Sequence, residues 1–267
     1  MDVAKLFSLE GRVALVTGGY RGIGRMMAEG LLGAGCARVY VTGRKAEALA
    51  AAAAGLGPRC AAIPGDIATL DGIAALAEAL TAREPHLDIL VNNAGVAWGA
   101  PFGRYPEDGW DRTLDLNLKT PFFLTQQLRP LLAAAGAGGE RPAKVIMISS
   151  VDGQKINPWE TYAYQASKAG LIHLTRRMAA RLVRDNIVVS GIAPGHFPSQ
   201  MNRAAIDPEP AFLKAVPARR MGTAEDIAAA VVYLASRAGD YVVGETLTVD
   251  GGLVNSALPD EFPSAGG

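Results

Sequence analysis

Tyr164 and Lys168 stand four residues apart in the run Tyr162-Ala-Tyr-Gln-Ala-Ser-Lys168. On a helix that spacing puts both side chains on one face, about 6 Å apart along the axis. An ammonium beside a phenol oxygen favours the phenolate, so a group that ordinarily titrates near pH ~10 becomes a usable acid or base around neutrality. Tyr162 is the rival phenol, but position 166 is alanine, so it has no lysine four residues on. Spacing alone favours the plainer reading of an amphipathic surface pair. The decision rests on what else the chain places beside the pair.

Near the N-terminus, Val13-Ala-Leu-Val-Thr-Gly-Gly-Tyr-Arg-Gly-Ile-Gly24 is a short apolar strand running into glycines 18, 22 and 24, followed by a helical pattern. Glycine lets the chain turn sharply and approach a pyrophosphate, whose charge is then met by the helix N-terminus. The segment reads as a dinucleotide-binding turn. Its spacing, Gly-x-x-x-Gly-x-Gly, departs from the commoner Gly-x-Gly-x-x-Gly. It also lacks the Gly-Lys-Ser/Thr of a phosphate-loop ATPase, which argues against nucleoside triphosphate hydrolysis.

These residues need a scaffold, and the chain supplies one. Apolar strand-like runs recur at Val13–Thr17, Arg38–Thr42, Cys60–Pro64, Asp88–Asn92, Lys144–Ser149, Ile187–Ile192 and Thr246–Val249, separated mostly by Ala/Leu-rich helical patterns. Strands buried on both faces read as continuous apolar runs, and right-handed crossovers place helices on either side. The expectation is one α/β domain over residues 1–267, a doubly wound, seven-stranded parallel sheet. Ligands should bind at the carboxyl ends of its strands. Glu47 to Leu56 has the length of one crossover helix. The glycine-rich run from Ala133 to Ala143 predicts a surface loop, and Leu253 to Gly267 an irregular tail.

The 267 residues suffice for one large core, and 26 basic residues cancel 26 acidic ones. Nothing global points to nucleic acid or an anionic membrane as a partner. No apolar run reaches the ~18 residues of a membrane span, and no basic-then-apolar leader opens the chain, so a cytoplasmic location is expected. Cys36 and Cys60 fall in or beside buried strands and read as free thiols. His86, His173 and His196 show no zinc-ligand spacing, so no metal is expected.

Further segments fit the same sheet edge. Asn92-Asn-Ala-Gly95 ends the fourth strand, Asn117 lies in the next helix, Ser149-Ser150 follow the fifth strand and Pro194-Gly195 the sixth. In this order, with the glycine turn, Tyr164-x-x-x-Lys168 and the closing Val249-Asp-Gly-Gly252, the chain resembles the short-chain dehydrogenase/reductase superfamily from about Leu9 to Gly252. The resemblance implies that Tyr164 is the general acid for carbonyl reduction and the base for alcohol oxidation. Lys168 would lower its pKa and bind the nicotinamide ribose, Ser150 would polarise the carbonyl, and Asn117 would hold a water in a proton relay reaching Lys168. Ser149 is the nearest rival to Ser150. The cofactor would lie along Gly18, Tyr20, Arg21, Gly22, Ile23 and Gly24, then Asn93, Ala94 and Gly95, then Pro194 and Gly195. Asp66 and Ile67, after the third strand, would take the adenine. Phe197, through its backbone, and Ser199 would meet the nicotinamide amide.

NAD selectivity in this kind of fold places an acid at the end of the second strand, where it binds both adenine-ribose hydroxyls. Here the strand ends Val41-Thr42-Gly43-Arg44-Lys45. Guanidinium groups present a planar set of donors suited to phosphate, so NADPH/NADP+ is expected, with Arg44 and Arg21 at the 2′-phosphate. Residues 195–220 match the family's substrate lid, with Trp159, Phe197, Met201 and Phe212 as candidate apolar walls that could equally be core. The Pro-Gly-x-Phe-Pro-Ser segment resembles the 3-oxoacyl reductases of rhamnolipid-type pathways, which implies a small-molecule or acyl-thioester carbonyl substrate. Arg176, Arg177, Arg181 and Arg184 could dock an acidic acyl carrier protein. A homotetramer is the family expectation.

Overall fold

Two hydrophobic layers on one parallel sheet account for most of the apolar sequence. The computed structural model describes residues 1–138, 141–198 and 213–257. Its strands are β1 (Val13–Thr17), β2 (Arg38–Gly43), β3 (Cys60–Pro64), β4 (Ile89–Asn92), β5 (Ala143–Ile148), β6 (Ile187–Pro194) and β7 (Thr246–Val249). They pair in the order β3-β2-β1-β4-β5-β6-β7, every pair parallel. All five residues of β1 are buried, because alternate side chains serve opposite layers. Ala14 and Val16 join one core, and Val13 and Leu15 the other.

The first layer contains α2 (Gly22–Gly33), α3 (Ala46–Leu56) and a late helix that follows Thr223, here α8 (Ala224–Ala235). Against the second face lie α4 (Leu70–Thr81), α6 (Thr120–Gly136) and α7 (Tyr162–Leu182). Further helices among the described residues are α1 (Val3–Phe7) and α5 (Glu107–Leu114). Between β1 and β4 the strand order reverses, and the crevice that opens there is where doubly wound sheets bind ligands.

β2 runs one residue and β6 two residues past the expected ends, and β5 begins one residue early; three further differences have a local cause. β4 begins at Ile89 rather than Asp88, because the Asp88 carboxylate turns back to accept the Val13 N–H at 2.8 Å and to pair with Arg12. β5 stops at Ile148, which releases Ser149 into the turn that carries the site. The expected loop from Ala133 begins late, because alanine propensity carries α6 to Gly136, whose carbonyl accepts from Asn186 Nδ2 at 2.9 Å. Residues 253–257 form turns; the rest of the expected tail lies outside the described residues.

Candidate active site

An open cleft of about 780 Å³ runs along the carboxyl edge of the sheet. β1 delivers the glycine turn to it, where Gly18 takes φ +65° and Gly22 φ +51°, both in the left-handed region. Gly24 is required by proximity, since a Cβ there would stand 2.4 Å from Asn93 Nδ2. That amide donates to the Thr17 carbonyl at 2.7 Å, and Thr17 Oγ1 accepts the Asn93 and Ala94 N–H groups at 2.9 Å each. Asn92 is structural, donating to Thr125 Oγ1 within the buried layer. So β1 and β4 are tied together where the crevice opens.

The dinucleotide end of the cleft fits its expected occupant. α2 starts at Arg21 with no side-chain cap, so the amides of its first turn are left for a ligand. Tyr20 lies flat against Gly43, and the Arg21 guanidinium sits 5.2 Å over the Tyr20 ring. Arg44 is exposed at the end of β2, and Lys45 begins α3, again without a side-chain cap. Thr42 Oγ1 is buried, lines the cleft and has no hydrogen-bond partner. Sequence reasoning passed over this hydroxyl; its signal was a threonine closing an apolar strand beside arginine. Asp66 receives the Ala68 N–H rather than capping α4, whose cap is Thr69.

At the other end, β5 and α7 set the chemistry. Ser149 is 5% exposed, and its hydroxyl donates to the Lys168 carbonyl at 2.8 Å, which commits it to backbone. Ser150 instead caps the following short turn, accepting the Asp152 N–H at 3.1 Å, and lines the cleft with Tyr164. Tyr162, the rival phenol, donates to Glu160 at 2.7 Å and packs edge-on against Phe102 and Tyr105. Tyr164 and Lys168 share a face of α7, with Lys168 Nζ 5.6 Å from the Tyr164 ring centroid and donating to the Ile148 carbonyl at 2.8 Å.

The direction of the electrostatics differs from the sequence expectation. Burial pushes Tyr164 up to about 12; the Ser150 hydrogen bond pulls it down, and the Asp152 charge adds to the rise. Burial brings Lys168 down to about 8, opposed by Asp152. Loss of water is the largest cause of both shifts.

Asn117 lies in a π turn, Asp115–Lys119, between α5 and α6, where the sequence suggested regular helix. The widened turn brings its side chain inward. It donates to the Val96 carbonyl at 2.8 Å and Ser167 Oγ at 3.1 Å, and accepts the Val96 N–H at 2.9 Å. It thus fixes Gly95 and Val96 from behind, buried to 1% exposure. Gly18, Tyr20, Arg21, Gly22, Ile23, Gly24, Arg44, Asp66, Ile67, Asn93, Ala94, Gly95, Ser150, Tyr164, Lys168, Pro194 and Gly195 all line the cleft. The Phe197 ring does not: it is 1% exposed and lies where a Cβ on Gly222 would be 2.3 Å away, so it is core rather than pocket wall. Ser199, Met201 and Phe212 lie outside the described residues. His196 lines the cleft and meets Trp159 edge-on at 6.3 Å. Among the described residues, no group of three or more His, Cys, Asp or Glu comes together as metal ligands would. Nor is any helix of the described residues long and apolar enough to cross a membrane.

Comparison with known proteins agrees with this geometry. Residues 18–254 match the family model described as Enoyl-(Acyl carrier protein) reductase. The chain is 47% identical over 252 residues to the rhamnolipids biosynthesis 3-oxoacyl-[acyl-carrier-protein] reductase of Pseudomonas aeruginosa, covering 92% of this chain and 98% of the relative. The solved Pseudomonas aeruginosa RhlG/NADP active-site complex superposes with a TM-score of 0.89 at 46% identity, over 93% of this chain and 98% of that one. A gluconate 5-dehydrogenase from Burkholderia cenocepacia, solved with NADP and tartrate, gives 0.87 at 35%, over 96% and 100%. With its glycine turn, its Tyr164/Lys168 helix and a match along most of its length, the chain is an oxidoreductase that belongs to the short-chain dehydrogenase/reductase family.

Proposed function

We propose that this protein reduces a ketone to a secondary alcohol with NADPH, the ketone being a 3-oxoacyl thioester or a similar uncharged carbonyl compound. The observation that carries this reading is Tyr164 with Lys168 one turn on and Ser150 beside them, all lining a cleft whose far end is rimmed by Arg21 and Arg44. NADPH, when bound, supplies the hydride to the carbonyl carbon. Tyr164 gives its proton to the carbonyl oxygen, a transfer worth ~10²–10⁴ in rate. Ser150 donates to the same oxygen and orients it. Lys168, held by the Ile148 carbonyl, binds the ribose and restores the Tyr164 proton, fed through a water at Asn117. Arg44 and Arg21 meet the 2′-phosphate, and Thr42 and Asp66 take polar groups of the adenosine.

The similarity to an NADP-bound gluconate dehydrogenase favours a second reading, oxidation of a sugar or other secondary alcohol by the same residues. Two features favour the acyl substrate. The Asp152 charge acts on Tyr164 and would repel a sugar-acid carboxylate. Trp159, 40% exposed, meets the cleft-lining His196 edge-on and offers an apolar face beside it, and the same loop carries the 87%-exposed Ile156. Initial rates with NADPH and NADH across 3-oxoacyl thioesters, diketones and keto-sugar acids test the choice. Turnover of keto-sugar acids alone overturns the acyl reading.

The chain is further proposed to act as a cytoplasmic homotetramer and to receive substrate on an acyl carrier protein at a stripe formed by Arg176 and Arg177 of α7 and Arg184 of the turn that follows it. Arg181, expected in that stripe, is paired with Asp185 at 3.0 Å. Light scattering, and transfer assays with carrier-bound against free thioester, test these two points.

A further inference from the structure

The three tryptophans of the chain, Trp98, Trp110 and Trp159, lie on two segments joined to the cleft, residues 98–110 and 159–162. Val96 and Ala97 line the cleft immediately before the first segment. The second reaches it through Trp159, edge-on to the cleft-lining His196. Hydrogen bonds clip the two segments together at Glu160. Its carbonyl accepts the Ala100 N–H at 3.2 Å, and its carboxylate accepts both the Phe102 N–H at 3.1 Å and the Tyr162 hydroxyl at 2.7 Å. Tyr105 donates its hydroxyl to the Trp98 carbonyl at 3.0 Å. The Trp98 indole lies on α5 at Gly109, where a Cβ would stand 2.9 Å from three of its ring carbons, so only glycine admits the ring there.

The rings between these ties form a continuous ledge. Tyr162 meets Phe102 and Tyr105 edge-on, with centroids 5.6 Å and 5.7 Å apart, and Tyr105 meets Trp110 at 6.2 Å. Yet Phe102 is 81% exposed, and each of the three tryptophans is more than a third exposed. Single exposed apolar side chains are ordinary, whereas a contiguous aromatic patch at the rim of a cleft marks a surface that a ligand covers. The hydrogen-bonded backbone behind Phe102 holds its turn in place, so little ordering is left for binding to cost. A hydrocarbon chain gains on such a ledge with each methylene it takes out of water. A hydroxylated sugar acid does not.

We propose that Trp98, Phe102, Tyr162 and Trp159 form the specificity surface for the tail of the ketone substrate, a hydrocarbon chain extending beyond the 3-oxo group, with Glu160 as the positioning residue that holds this ledge at the cleft mouth. The proposal rests on the reading of the site as a 3-oxoacyl thioester reductase and adds where the chain lies. Contacts so far from the carbonyl are alike in the ground and transition states. Longer chains should therefore be preferred through KM rather than kcat.

The test is reduction by the full-length enzyme with NADPH of the N-acetylcysteamine thioesters of 3-oxobutanoate and 3-oxooctanoate. The longer chain should be favoured in kcat/KM by about tenfold or more, the difference lying in KM. In Phe102→Ser the preference should fall to about twofold. Glu160→Ala should lose it likewise, whereas Glu160→Gln, which keeps an acceptor for Phe102 and Tyr162, should retain it. Independently of turnover, the octanoyl thioester added to the NADP+ complex should move tryptophan emission to shorter wavelength, and the acetyl thioester should not. If Phe102→Ser folds poorly, Trp159→Ser is read by the same ratio. A chain-length preference absent from the wild type or intact in the ledge variant overturns the proposal, as does unmoved emission. A changed subunit number in light scattering of that variant, with the preference intact, overturns it in favour of a contact between copies of the chain. Turnover of other ketones but of neither thioester would instead overturn the reading on which it rests.

Discussion

At the amino edge of the sheet the charges are closed on one another. Arg12 and Asp88, 7% and 4% exposed, form an ion pair, and the 1%-exposed Lys144 reaches Asp240 at 2.7 Å. At the carboxyl edge, Arg44 has no ion-pair partner among the described residues, Thr42 Oγ1 is unbonded, and α2 and α3 start without side-chain caps. Both edges belong to one sheet and share the same strands. The difference lies in how charge is paired: at one edge within the protein, although Arg12 Nε and Lys144 Nζ make no hydrogen bond there, at the other toward an open cleft. Buried charge that is paired within the chain contributes order, whereas polar groups left open along a cleft mark where free energy is reserved for binding.

Damage to the two edges should therefore separate cleanly. The largest effect is expected at the carboxyl edge: Tyr164→Phe should lower kcat by about 10³-fold or more while leaving the denaturation midpoint near wild type. At the opposite edge, Asp88→Ala strands Arg12 and the Val13 N–H. It should cost about 3 kcal/mol in urea denaturation with little change in cofactor affinity. Loss of cofactor binding with unchanged stability would break the contrast.

His196 sharpens it through pH. Burial brings its imidazole from the usual 6.5 down to about 4, with Asp250 opposing. Between those values the unfolded chain takes up a proton that the folded chain refuses. Stability from this group is therefore complete above pH 6.5 and lost on acidification. The loss between pH 7 and pH 5 should be about 2 kcal/mol, and it should be missing from His196→Gln when denaturation is compared at the two pH values. The smallest expected effect is Arg44→Ala, which should weaken NADPH about tenfold and NADH hardly at all, as read by fluorescence titration.

Much of this site is legible in the linear sequence because its parts are local. A glycine turn joins adjacent elements, and the i,i+4 relation of Tyr164 and Lys168 survives any packing of α7. Runs such as Val13–Thr17 declare a strand buried on both faces, and the alternation with Ala/Leu helices fixes a parallel sheet. What was not legible depends on groups distant in the chain. The choice between Ser149 and Ser150 hangs on which hydroxyl is committed to the Lys168 carbonyl. Phe197 sits in a lid-like sequence, yet its ring enters the core because residue 222 is glycine and leaves room for it.

The sequence by itself determined the fold, the pairing of Tyr164 with Lys168 on one helix face, and the cationic end of the cleft, since each follows from periodicity or from side-chain chemistry at fixed spacing. Only the tertiary structure decided the proton balance of the site. Burial raises Tyr164, the π turn brings Asn117 inward, and the turn Val151–Gly153 packs against the backbone of Lys168. Desolvation and Coulomb interaction depend on distance and exposure in space, and spacing along the chain fixes neither.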